Sequence, residues 1–185
     1  MPIYHRIIQA DEPSIHANHT HPSWTPARTL TENYIKRWYS LTRNLTFGAT
    51  STTGTSIQLD PEDNAFKCES TLPIDNTGII VGQGQQINHV NSWALADPFE
   101  PPLTEGTLRY GVNTLAVEII SQTTSWRIQR SLLNMTLSNI SISEMAYLGY
   151  FGASRFMHIY DTYDVPISAV PGVPLIAQYL IVLTP

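Results

Sequence analysis

Apolar and polar residues alternate through much of this chain, most regularly in its second half. Ile140 and Ile142 are separated by Ser141 and followed by Ser143, the period of two that gives a strand one buried and one wet face. Over 173–183 both alternate sets are mostly apolar, which predicts a strand covered on both faces, between two sheets or against a neighbouring subunit. Further strands are expected at 56–59, 78–81, 108–111, 115–120 and 125–133, with 65–70 pairing back on the first of these. Leu115, Val117 and Ile119 share one face. Trp126, Ile128 and Leu132 share another with Arg130, which needs a partner if it is buried. Turns of Gly, Pro and Asn separate these short strands, and that spacing predicts an all-β chain folded as an antiparallel, jelly-roll-like β-sandwich.

The first 28 residues break the pattern. They hold Pro2, Pro13, Pro22 and Pro26 and no sustained apolar period, so residues 1–28 read as an extended arm and 29–185 as the sandwich domain. Such an arm buries too little alone to offset its ordering entropy and is expected to lie on a partner. Thr29-Leu30-Thr31-Glu32 has capping-box spacing, and Leu30, Tyr34, Trp38 and Leu41 recur at helical intervals. One short helix over 31–41 is therefore expected, then a strand over 44–49 and a flexible turn over 48–54.

Composition narrows the function classes. Charged residues make up 14% of the 185, against roughly 25% in ordinary domains. The surface is thus expected to be polar but neutral, suited to protein contacts. A net charge of −5 and a pI near 5.6 argue against a nucleic-acid binder, which needs a basic stripe. Cys68 is the single cysteine and is expected to be a buried free thiol. Met1-Pro2-Ile3-Tyr4-His5-Arg6 is not a charged-then-apolar leader, and the apolar run over 175–183 is interrupted by Gln178. That run is shorter than the ~20 residues of a membrane helix, so folding in a cytosol without membrane contact is expected.

Candidate chemistry is sparse. His16, His19 and His21 form an H-x-x-H-x-H cluster without a carboxylate at a completing distance; solvated or interface histidines, with no metal, are expected. Gly82-Gln83-Gly84 lacks the third glycine and the following helix of a dinucleotide fingerprint, and its glycines are expected to permit positive φ at a turn. Asp60, Glu62, Asp63, Glu118, Glu144, Asp161 and Asp164 are scattered rather than paired for acid–base work, and no serine stands in a Gly-x-Ser-x-Gly elbow. Arg155 and Asp161 suggest a structural ion pair. The expectation is a non-enzyme with neither catalytic nor cofactor site. Tyr4, His16, His19, His21, Trp24, Tyr34 and Trp38 are its candidate interface residues.

The ordered series Thr77-Gly78-Ile79-Ile80-Val81-Gly82-Gln83-Gly84, Gly106-Thr107-Leu108-Arg109-Tyr110-Gly111, Arg130 to Asn134, Ile140-Ser141-Ile142-Ser143-Glu144 and the 166–183 ending resembles a group of small virion proteins of tailed bacteriophages. That group shows a Thr-Gly-Ile-x-Val-Gly-x-Gly opening, a Leu-x-Tyr-Gly strand, an Arg-rich strand ending in Asn and a final Pro-Val-x-Val followed by Leu-x-Val-x-Tyr. This chain departs from it at Met145-Ala146 and at Arg155-Phe156. The resemblance implies a capsid-surface, neck or tail component, folded in the host cytoplasm and resident in the virion. Its partners would be copies of itself, as a trimer or higher homo-oligomer, and other virion proteins. A carbohydrate- or receptor-binding module of a fibre or tail tip is the rival expectation, with Trp93, Tyr147, Tyr150, Tyr160 and Tyr163 as its aromatic groove.

Overall fold

A computed structural model describes residues 3–9, 25–26, 29–33, 36, 46–59, 77–84, 94–99, 107–120, 123–151 and 154–183. The strands are β1 (Ile3–Gln9), β2 (Thr25–Pro26), β3 (Thr29–Leu30), β4 (Phe47–Thr50), β5 (Ser56–Leu59), β6 (Gly78–Gly82), β7 (Leu108–Ile120), β8 (Thr123–Asn134), β9 (Ile140–Phe151), β10 (Ser154–Ala169) and β11 (Pro174–Leu183). They form a five-stranded sheet in the order β2-β1-β11-β8-β7, a four-stranded sheet in the order β3-β10-β9-β6 and the hairpin β4-β5. Every pairing between these strands is antiparallel. The fold is thus the all-β sandwich that the alternation predicts.

The core lies between the two large sheets. Tyr110, Ile128, Leu132, Ala177 and Tyr179 of the first sheet and Ile79, Val81, Met145 and Ile159 of the second belong to one buried cluster. Alternation along β11 sends Leu175, Ala177, Tyr179 and Ile181 to this core, yet Gln178, Leu180 and Val182 on its other face are equally buried. Leu180 and Val182 pack with Tyr4 in a cluster of their own. The doubly apolar sequence of this strand follows from that two-sided burial.

β8 and β11 pair in the first sheet while β9 and β10 pair in the second, so one long hairpin folds over where its strands change sheet, at 135–139 and 170–173. Asn134 holds that corner. Its Nδ2 donates to the carbonyls of Ser138 (2.8 Å) and Ala169 (2.6 Å), and its Oδ1 accepts from Thr136 N and Oγ1 at 2.9 and 2.8 Å. Gly172, at φ +72°, donates its N–H to the Asn134 carbonyl at 2.9 Å.

Several elements differ from the sequence reading. Residues Ile3–Gln9, read as part of an extended arm that would lie on a partner, pair along their whole length with β11 of the same chain, and Ile3 and His5 are buried; this short segment is held by the two-faced strand beside it. Residues 108–120, read as two strands, are one strand with a bulge at Gly111 and Val112, because a bulge absorbs an extra residue without ending the ladder. Gly48 and Ala49 belong to β4, and the turn is confined to 51–55, with Ser51 N bonded to the Thr55 carbonyl at 2.9 Å. Ala49 and Leu59 of this hairpin pack on Phe156 of β10. Glu32, Asn33 and Lys36 have helical backbone, but Thr31 does not and Leu30 belongs to β3, so the expected helix does not start at its capping box; 34–35 and 37–41 lie outside the described residues, as do 65–70 and Cys68.

Candidate functional site

Three polar centres are built into the interior. The first bridges the sheets at one edge. Arg130 of β8 is fully buried and donates from Nε to the Gly111 carbonyl (2.9 Å) and from a terminal nitrogen to the carbonyls of Thr77 (2.9 Å) and Ile79 (3.2 Å). Its guanidinium lies 4.6 Å from the centre of the Tyr110 ring, so carbonyl dipoles and an aromatic face replace the water it has lost. The Tyr110 hydroxyl accepts from Val81 N at 3.1 Å and donates to the Val81 carbonyl at 3.3 Å, and Asn113 Oδ1 accepts from Ile79 N at 3.4 Å. Side chains of the first sheet thereby satisfy backbone groups of β6, the end strand of the second. Gly78, at φ +79°, is required here, since a Cβ would overlap the Asn113 amide.

The second centre is Glu144. It is fully buried on β9 and accepts from Ala96 N (3.0 Å), Asp97 N (2.8 Å) and the Tyr160 hydroxyl (3.0 Å). A carboxylate with these three donors anchors the 94–99 segment over β6, where Gly82 bridges to Pro98 and Gln83 N bonds to the Asp97 carbonyl at 3.0 Å. Gly82 and Gly84 serve close approach rather than positive φ: a Cβ on either would sit within 2.5–2.8 Å of Glu144 Oε1. That corrects the turn expectation for these glycines: they leave room for the Glu144 carboxylate and the Asp97 backbone.

The third centre crosses the middle of the sandwich. His5 of β1 and Asp161 of β10 are buried and 3.3 Å apart, Nδ1 to Oδ2. The His5 ring stacks on Tyr163 at 5.1 Å and 8° and lies tilted to Tyr179 at 6.4 Å. Tyr179 donates its hydroxyl to the Met145 carbonyl at 3.1 Å. Burial, and then the Asp161 charge, push the hydroxyls of Tyr163 and Tyr179 well above the ordinary tyrosine pKa. Asp161 therefore pairs with a histidine from the supposed arm, a partner that the sequence reading, which looked to Arg155, did not name.

The outer surface carries a different feature. Leu137 is fully exposed, and Met135 and Val170 are 42% and 39% exposed. Met135 and Leu137 lie on the β8–β9 turn and Val170 on the β10–β11 turn, the two turns that Asn134 ties together. Val165, 79% exposed, lies in the stretch of β10 where the register with β9 shifts between Thr162 and Ile167.

Of the candidate interface residues, Tyr4 lies on β1 against Leu180 and Val182. His16, His19, His21, Trp24, Tyr34 and Trp38 lie outside the described residues, as does Trp93. The tyrosines proposed for a glycan groove are mostly internal. Tyr160 is fully buried, and Tyr147 and Tyr163 pack on the core; Tyr150 is half-buried near the end of β9. Among the described residues no group of three or more His, Cys, Asp or Glu is placed to hold a metal ion, and no helix is long and apolar enough to cross a membrane.

No protein-family model matches the chain, and neither curated proteins nor solved structures give a significant match.

Proposed function

We propose that this chain is a structural component of a tailed-phage virion, a capsid-decoration, neck or tail protein that acts by self-association and by docking onto other virion proteins. The observation that carries this reading is the apolar corner of Met135, Leu137 and Val170. Exposed aliphatic side chains on turns are costly to keep in water, and here Asn134 holds both turns in place. A surface already ordered loses little further entropy on binding. The low charge of the chain supports the same reading, since charges are depleted at the centres of protein interfaces. The motif series supplies the virion context.

Self-association is tested by the mass of the purified chain in sedimentation velocity, alongside Leu137→Asp. A trimer or higher species that dissociates in the variant supports the proposal; a monomer in both rejects it. Two of the tyrosines named for the rival reading, a glycan-binding tip, turn inward. Tyr160 and Tyr163 send their hydroxyls to Glu144 and to the Met145 sulfur instead of to a groove.

A further inference from the structure

The N-terminal strand meets the second sheet at a buried histidine–aspartate contact. His5 Nδ1 and Asp161 Oδ2 are 3.3 Å apart, with side-chain exposures of 1% and 0%. That is an ion-pair separation without hydrogen-bond alignment, and neither imidazole nitrogen of His5 has a hydrogen-bond partner among the described residues. Among the described residues, the other rings stacked or tilted against the imidazole are Tyr163 of β10 and Tyr179 of β11. From β9, Tyr147 lies one ring further out, 6.3 Å from Tyr179, with His158 of β10 6.2 Å beyond it. Arg6, next along β1, points to the opposite face and donates to Gln178 Oε1 at 2.6 Å. Asp161 thus supplies the negative charge that an imidazolium here requires, and the neutral tyrosines supply none.

With Asp161 ionised, a protonated His5 is matched by an opposite charge across the interior. Once the carboxyl takes up a proton as well, the imidazolium is left buried and uncompensated, a state that folded chains avoid by exposing the group. β1 is the element able to move. Among the described residues its far edge is paired where Tyr4 and His5 face Pro26 and Thr25 of β2, whereas β11 keeps its long pairing with β8, and β10 its long pairing with β9.

We propose that His5 and Asp161 form an acid-operated release for β1: protonation of Asp161 beside a charged His5 expels Ile3–Gln9 from the sheet and uncovers the edge of β11. Amide hydrogen exchange of the full chain, corrected for intrinsic rates and taken from about pH 7.5 to about pH 3.5, reads this directly. Exchange in β1 should rise at least about tenfold on acidification while β8 changes by less than about twofold. Asp161→Asn, which carries no charge at any pH, should move the release to higher pH than in the unaltered chain, because the imidazolium then has no opposite charge at any pH. His5→Gln removes the cation and should keep β1 protected in acid; it decides the matter even if Asp161→Asn does not fold. The proposal is overturned if β1 and β8 lose protection together, if β1 stays protected throughout, or if His5→Gln releases β1 at the same pH as the unaltered chain.

Discussion

Arg130 shows how a single side chain holds this fold. It touches three carbonyls and one ring at the meeting of β6, β7 and β8. Arg130→Met should destabilise the chain by about 3–5 kcal/mol in denaturant unfolding, because it leaves those carbonyls buried without a donor. Arg130→Lys should recover little, since an ammonium cannot reproduce the planar fork. The glycines separate two causes. Gly82→Ala should cost about 1–3 kcal/mol through collision with the Glu144 carboxylate and the Asp97 carbonyl. Gly172→Ala, which meets open space at φ +72°, should cost only the backbone strain, about 1 kcal/mol. At this scale the sequence was partly legible: Arg130 among apolar neighbours announced a buried cation needing partners, but backbone carbonyls from distant strands leave no mark on a sequence. Nor did Gly82 and Gly84 show which kind of glycine they are. That depends on Glu144, some sixty residues later, meeting them across a strand pair.

At the scale of elements, β6 and β1 are the informative pair. β6 is short and lies at the end of its sheet, and its backbone is completed by side chains from the opposite sheet. Tyr110→Phe should therefore cost about 1–3 kcal/mol by leaving Val81 N without its acceptor, while the Val81 carbonyl keeps Phe99 N at 2.9 Å, measurable as a lower denaturant midpoint with unchanged slope. The tyrosines facing β1 set an alkaline limit. Tyr163 is half-buried as a whole but turns its hydroxyl to the buried Met145 sulfur, and Tyr179 is wholly inside. Both titrate well above 10.0 in the fold because burial, then the Asp161 charge, disfavours the phenolate. A raised folded-state pKa contributes stability that is complete below the unfolded value, about 10, and is lost as pH climbs towards the folded value. The melting temperature should thus be flat from neutral pH to about pH 10 and fall above it, and Tyr179→Phe should lessen that fall. β8 and β11 were legible as strands because periodicity is a local property, whereas β7 read as two strands and only the 140–143 start of β9 stood out. β1 was not legible, since its seven residues place polar groups on both faces and each finds its partner only in the folded sheet: His5 in Asp161, Arg6 in Gln178.

For the whole molecule, the sandwich followed from the spacing of short apolar strands and the lack of sustained helical periods, and two-sided burial of β11 followed from its doubly apolar sequence. The apolar corner did not. Leu137 and Val170 lie in different turns, and only the fold-over of the β8–β9 and β10–β11 connections brings those turns together. A protein that works by contact should use this corner, so the most direct measurement is sedimentation velocity of the purified chain across a range of concentrations. The account predicts a discrete trimer or larger assembly that Leu137→Asp shifts toward monomer without lowering the melting temperature. A chain that stays monomeric at every concentration, with the variant indistinguishable from it, would contradict the account.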